Sequence, residues 1–486
     1  MTGNSRKPVK VGIFGIGLAA YWPQFAGLKE RLEGYQRFVE QQLAGPGVEI
    51  CSAGLVDTAP GAQAAGDYFA RQNVDLILCY VGTYATSSQV LPAVQRRQCP
   101  VLVLNLQPVP TLDYPRTDTG AWLAGCSACS VPEISNAFAR AGIQFNVVTG
   151  LLQPVGSEVD RFHTEAFAEL QDYILAAGIK QQLSYGRIGF LGHTYPGMVD
   201  MYSDFAMFHG QLGLHVEILE MDDLHARVAQ ISPSQVAAKI EEIRETFDFM
   251  APGADQISME ITEEGLAWSA KVACGLDALV ADFDLQGLTY YYRGLAGNAN
   301  EALGSSLIVG NSLLTGRGIP ASGEGDLKTC VAMFIMDRLR AGGSYTEFYA
   351  MDFTDDILLM GHDGPGHIAI SDGKPTLRGL GLFHGKRGYG LSVEFQVSLG
   401  PVTILCLTQT RDGRFKMLAA EGVSEAGPTL AIGNTNSRIR FPQGVTRFMN
   451  EWLQEGPTHH VALGKGHQVV RLQKLARLLE MELAVI

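Results

Sequence analysis

Residues 74–105 read "VDLILCYVGTYATSSQVLPAVQRRQCPVLVLN". Val74–Val81 is an almost unbroken apolar run, and Val101–Asn105 is a second. Neither alternates with polar residues, which is the composition of strands buried on both faces. Between them, Gln89–Arg97 has helical composition. Strand, helix and strand in so short a span is the unit from which parallel sheets are built. The alternation extends upstream: Lys10–Phe14 predicts a strand, Gln24–Ala44 a helix, Val48–Val56 a strand and Ala62–Arg71 a helix. It restarts downstream, with helices expected at Arg161–Ala177, Ser234–Phe247 and Asp326–Arg340. The intervening strands are expected at Arg187–Leu191, Leu214–Leu219 and Ala278–Phe283. Two flavodoxin- or Rossmann-like doubly wound α/β domains are therefore expected, over residues 1–184 and 185–342. Beyond residue 343 the character changes. Ile357–Met360, His367–Ile370, Leu391–Leu399, Val402–Thr410 and Phe415–Glu421 are strand-like and punctuated by Gly and Asp. They predict a β-rich, barrel-like or sandwich domain over 343–486, closed by a helix at Gln468–Glu482.

The bulk numbers agree with several domains. The chain has 486 residues, of which 46% are hydrophobic and 18% charged, a globular composition too long for one core. A formal net charge of −13 argues against nucleic acid as the main partner, because phosphate binding needs clustered Lys and Arg. No apolar run reaches the roughly 18–20 residues needed to span a bilayer. The N-terminal stretch runs from a short apolar segment straight into glycines, unlike a secretory leader, so a cytoplasmic location is expected. The eight cysteines are scattered, which reads as reduced thiols and not as a disulfide framework.

Several motifs have a functional and a plain reading. Gly15-x-Gly17-x-x-Ala20 follows a strand, as in a dinucleotide fingerprint, but the expected acid about 20 residues on is replaced by helix. A tight turn near a small-molecule site suits it better. Cys126-Ser-Ala-Cys129 lacks the further ligands of a zinc site and reads as a small-residue turn. His193 follows a strand at its C-terminal end, where α/β proteins place ligands, and is equally a hydrogen-bonded loop residue. "ASGEGDLKT" at 321–329 concentrates Glu324 and Asp326 before an apolar helix. Acids there are favoured by the helix dipole, or Glu324 is a metal ligand. Glu347, His362, His367, His459 and His460 lie in glycine-rich surroundings downstream. Acids with imidazoles suit Mn²⁺, Co²⁺ or Zn²⁺, and the same residues could be surface features.

At these residues the chain resembles the L-arabinose isomerase family, within the wider L-fucose/L-arabinose isomerase group. "GEGDLKT" at 323–329 is close to that family's GEGDWKT. It is followed in order by "GGSYTEFYAMDF", "DILLMGHDG" and "GPTHHVALG", each similar to a family segment. The resemblance implies a metal-dependent aldose–ketose isomerase most like L-arabinose isomerase, converting L-arabinose to L-ribulose by proton transfer through an enediol. It implies that Glu324, Glu347, His362 and His460 ligate one Mn²⁺-like ion, with Glu324 and Glu347 as the acid/base pair. A small gap before His362 makes His367 its alternative. It also implies a trimer or hexamer with sites shared between subunits. "GCSACSVPEI" at 125–134 and "GIGLAAYWPQF" at 15–25 depart from the family's substrate-contact segments. That leaves an L-fucose-like deoxyhexose or another pentose beside L-arabinose as substrate, and a non-catalytic sugar-binding protein as the reading from another class.

Overall fold

The computed structural model describes residues 7–95, 99–292, 297–380 and 390–486. The chain divides into two compact units, residues 1–182 and 183–486.

The first unit is built on five parallel strands. Their order across the sheet is Val48–Val56, Val9–Ile16, Leu76–Tyr80, Val101–Gln107 and Phe145–Leu151. Leu76–Tyr80 is buried along its whole length, as its unbroken apolar sequence demands. Helix Leu28–Leu43 covers the sheet with Leu28, Leu32, Val39 and Leu43, one face at helical spacing. Helix Ala59–Gln72 starts at Thr58, whose side chain accepts from the Gly61 amide, and stops at Asn73 in the left-handed region. The expected helix Gln89–Arg97 is two short turns, Ser87–Val90 and Pro92–Gln95, because Pro92 has no amide to continue the ladder. Residues 96–98 of that expectation lie outside the described residues. The Gly15–Gly17 turn is filled by the protein itself. A Cβ on Gly15 would lie 2.6 Å from Gln36 Oε1, and one on Gly17 would lie 2.7 Å from the Trp22 ring. The glycines are followed by a single 3-10 turn, Ala19–Tyr21, and the long helix begins only at Leu28, unlike a dinucleotide turn, which opens directly into an α-helix.

The second unit opens with a four-stranded parallel sheet in the order Ala321–Ser322, Gly287–Tyr291, Arg187–Gly192 and His215–Leu219. The strand expected at Ala278–Phe283 is instead the last turn of helix Glu263–Asp282. Leu266, Ala270, Ala273, Leu276 and Val280 form one continuous buried helical face, and the apolar 278–283 segment is its end. The strand follows at Gly287–Tyr291. The sheet order reverses at Arg187–Gly192 and Gly287–Tyr291, and loops at the C-terminal ends of such strands are where α/β sheets place ligands.

The C-terminal region is antiparallel. Gly400–Gln409 pairs with His460–Lys465, which pairs with Gly342–Asp352, then Ile357–His362, Thr435–Arg440 and Phe415–Glu425. Phe415–Glu425 pairs back onto Gly400–Gln409, so the strand order is ring-like. Val402, Ile404, Leu418, Ile439, Val461 and Leu463 belong to the core cluster of this region. Residues 368–370 form a 3-10 turn and not a strand. The last helix ends at Leu479, Glu480 takes a left-handed φ of 53°, and Glu482–Val485 joins the sheet in parallel with Phe415–Glu425. No helix among the described residues is long and apolar enough to cross a membrane.

Candidate metal centre

The acids at the start of helix Leu327–Arg338 have separate jobs. Asp326 is the cap: its carboxylate accepts from the Thr329 amide at 3.0 Å and the Thr329 hydroxyl at 2.7 Å. Glu324 stands two residues outside the helix, with a φ of 61°, followed by Gly325 at 71°. A glutamate in the left-handed region is strained, and strain of this kind collects at functional sites. Neighbouring loops hold it there. The Tyr195 amide donates to the Glu324 carbonyl at 2.8 Å, and the Gly325 amide donates to the Tyr290 carbonyl at 3.0 Å. A Cβ on Gly325 would sit 2.5 Å from the His193 carbonyl oxygen, so only glycine lets the two loops approach.

The β-sheet register brings the other groups to the same place. Glu347, on Gly342–Asp352, pairs with His460 on one side and with Gly361 on the other. Gly361 is forced by packing, since a Cβ would lie 1.7 Å from the Thr435 carbonyl oxygen. The close approach lets the His362 amide donate to Thr435 Oγ1 at 2.9 Å. The Nε2 atoms of His362 and His460 are 3.1 Å apart. The Tyr345 ring stands 4.3 Å from His362 and 4.4 Å from His460, centroid to centroid. Burial, followed by the charges of Asp326 and the two glutamates, pushes the Tyr345 hydroxyl well above its ordinary pKa, so it stays protonated.

Two overlapping clusters result. Glu324, His362 and His460 each place a ligand atom within 4.8 Å of the others, and so do Glu347, His459 and His460. His460 is shared and fully buried. Its Nδ1 is 3.0 Å from Asp326 Oδ2. Burial pushes the Asp326 carboxyl upward, but hydrogen bonds from His460 and Thr329 and the charge of His460 hold it below the usual range. A carboxylate against Nδ1 is the arrangement typical of metal-site histidines, and His460 Nε2 on the other side of the ring lies 3.1 Å from both His362 Nε2 and the Tyr345 hydroxyl. Beside it, His459 Nδ1 is 2.6 Å from Asp200 Oδ2. Burial pulls the His459 pKa down, and the hydrogen bond and charge of Asp200 outweigh it and raise it.

The donor set fits a divalent cation. Glu324 Oε2 is buried with no hydrogen-bond partner, and His460 Nε2 lies 3.7 Å from it. A buried carboxylate oxygen in that state is costly unless a cation meets it.

Of the residues singled out in the sequence, Glu324, His362 and His460 lie in one cluster, and Glu347 meets His460 in the other. His367 does not join them. It is buried elsewhere, its Nε2 3.7 Å from Asp337 Oδ1. His193 is exposed, and its ring nitrogen bonds locally to the Thr194 carbonyl. Cys126 and Cys129 are not separate thiols but a disulfide at the start of helix Ser127–Arg140, because a three-residue spacing puts both sulfurs on one side of the first turn. Sequence reasoning passed over Asp326 as an orienter of His460, and over Asp200 and Tyr345 altogether. Asp326 left one signal, its place three residues before Thr329, which is the spacing of an N-cap.

Comparison with known proteins adds a second line of argument. Residues 205–342 match the L-arabinose isomerase central domain, and residues 342–482 match the L-arabinose isomerase C-terminal domain. A sulfoquinovose isomerase of Alkalicoccus urumqiensis is 23% identical over 300 residues, covering 61% of this chain and 64% of that protein. Sulfoquinovose isomerases of Priestia aryabhattai and Priestia megaterium are each 25% identical over 176 residues, covering 36% of this chain and 39% of theirs. The match thus spans less than two thirds of the length of each of these relatives.

Proposed function

Because the chain belongs to the L-arabinose isomerase superfamily, as a divergent member, we propose that it is a metal-dependent aldose–ketose isomerase acting on a sugar other than L-arabinose. The proposed ligands of one divalent ion, Mn²⁺ by resemblance, are Glu324, Glu347, His362 and His460. The observation that carries this reading is the buried, unbonded Glu324 oxygen beside two imidazoles. The substrate class we favour is a sulfonated aldose of the sulfoquinovose type. Its support is that the relatives with this named activity align with the chain, while the loops at 15–25 and 125–134 depart from the L-arabinose isomerase pattern. We further propose the three-part division at residues 184 and 342, and a homo-oligomer with sites shared between subunits.

Isomerisation moves a proton between C2 and C1 of the open-chain sugar. A divalent ion, when bound, polarises the carbonyl and so acidifies the neighbouring C–H. Glu324 and Glu347 would take and return the proton. Their surroundings differ: Glu324 has a buried oxygen without a hydrogen bond, whereas Glu347 lies half-buried on a strand beside His459. Asp326 orients the His460 ring through Nδ1, and the Tyr345 ring lies against both His362 and His460.

The test is activity of metal-stripped protein on sulfoquinovose, L-arabinose and L-fucose, with and without Mn²⁺, beside Glu324→Gln. Mn²⁺-dependent ketose formation, fastest with sulfoquinovose and abolished in the variant, is expected. Turnover that ignores metal and survives Glu324→Gln would remove the reading.

A further inference from the structure

Of the eight cysteines, six are free thiols and two are joined. Cys79, Cys330 and Cys406 are buried, and burial pushes each thiol up, Cys330 to about 12 and Cys406 to about 11. They stay protonated and unreactive. The bonded pair, Cys126–Cys129, is only three residues apart. A cross-link over so short a stretch, within a helical turn, removes little freedom from the unfolded chain. It is poorly suited to a purely structural job. Its two sulfurs also differ in access. Cys126 is buried at the N-cap of helix Ser127–Arg140, and Cys129 is exposed. A thiol arriving from solvent therefore meets Cys129. When the bond breaks, negative charge falls on Cys126, at the positive end of a helix of 14 residues. That end favours a thiolate, and a stable leaving thiolate speeds exchange.

The helix also has Pro132 inside it. Proline has no amide to bond the Ala128 carbonyl, so the first turn is loosely joined to the rest. That turn carries Ser130, whose hydroxyl is 3.5 Å from the Ala85 amide nitrogen and donates to the Ala85 carbonyl at 3.4 Å. Beyond the proline, Glu133 accepts from the Ser87 amide at 2.8 Å and from the Tyr84 hydroxyl at 2.9 Å. Both residues hold the loop that leaves Leu76–Tyr80, the central strand of the sheet. We propose that Cys126–Cys129 is a redox-active pair that exchanges with dithiol reductants, and that its reduction releases the first turn of this helix from Ala85 while Glu133 keeps its hold. In the exchange, a reductant thiolate attacks Cys129 Sγ, the Sγ–Sγ bond breaks and its electron pair leaves on Cys126. The reductant's second thiolate then attacks the mixed disulfide and frees Cys129. The reductant ends as its own disulfide, and its two protons end on the two cysteines. None of this depends on the isomerase reading.

The test uses the full-length protein, with oxidised and reduced dithiothreitol as the probes. Alkylation after denaturation should count six thiols per chain once the native protein has been held in the oxidised reagent, and eight after the reduced one. On reduction, hydrogen exchange read by mass spectrometry should quicken about tenfold over residues 84–86 and 127–131, the effect of losing one hydrogen-bonded contact, and stay unchanged over 133–140. Cys126→Ser and Cys129→Ser should both show that pattern without any reductant. The Cys129 thiol left in the first should react with a soluble aromatic disulfide at least about tenfold faster than the Cys126 thiol left in the second. A bond that opens only when the protein unfolds would be structural and would overturn the proposal. Eight thiols after the oxidised reagent, unchanged exchange over 84–86 on reduction, or a faster thiol at Cys126 would overturn it as well.

Discussion

Replacing Glu324 by glycine should make the metal-free protein more stable. Glu324 holds a φ of 61°, and the left-handed region costs a non-glycine residue about 1–2 kcal/mol. Its Oε2 is buried without a hydrogen bond, which costs about 1–3 kcal/mol. Glycine removes both terms and returns about 0.4–1 kcal/mol through the greater freedom of the unfolded chain. The carbonyl that accepts from the Tyr195 amide is kept. The net gain is about 1–5 kcal/mol, or a rise in melting temperature of about 2–10 °C for a unit of this size. Saturating metal should offset the advantage. At a hundred times its dissociation constant, Mn²⁺ adds about 2.7 kcal/mol to the native protein, and little to a variant lacking a ligand. The assay is thermal unfolding of both proteins in chelator and across a Mn²⁺ titration. A variant that melts lower than the parent in chelator, or that shifts equally with Mn²⁺, would show that Glu324 is a structural acid.

Asp326→Asn should weaken Mn²⁺ binding by about 10–100-fold, the usual effect of losing the carboxylate behind a ligating histidine, with equilibrium dialysis as the readout. Gly325→Ala should destabilise the second unit by more than about 2 kcal/mol and lower Mn²⁺ affinity, because its Cβ would press on the His193 carbonyl; denaturant unfolding and dialysis read both. Asp255 is held down to about 2, first by the Ser258 hydroxyl and also by the Ile257 amide and Arg378. A carboxyl with a depressed folded-state value stabilises the protein above its unfolded pKa and loses that contribution as pH falls through the folded one. Its share should therefore be intact above about pH 4 and disappear towards pH 2. Asp255→Asn should lack that step in an acid-unfolding profile.

The parallel sheets were legible because buried strands such as Leu76–Tyr80 carry unbroken apolar sequence. Ala278–Phe283 carried the same signal and is helix, since an apolar run at the end of a buried helical face looks like a short strand in isolation. The site was legible in its individual groups and not in its wiring. Glu324 stood out because an acid among glycines before a helix is unusual, and Asp326 shared that signal without revealing that it caps the helix and holds His460 as well. Asp200 left no local trace, because its partner His459 is 259 residues away. The choice between His362 and His367 also needed three dimensions. His362 ends its strand with Nε2 3.1 Å from His460 Nε2, while His367 lies beyond the strand end with Nε2 3.7 Å from Asp337 Oδ1.

The most direct test of the central claim is anomalous diffraction from crystals grown with Mn²⁺, at the manganese edge. The account predicts one strong peak within bonding distance of Glu324, Glu347, His362 and His460, absent from Glu324→Gln crystals. A peak held by other residues, or none at these four side chains under saturating Mn²⁺, would contradict it.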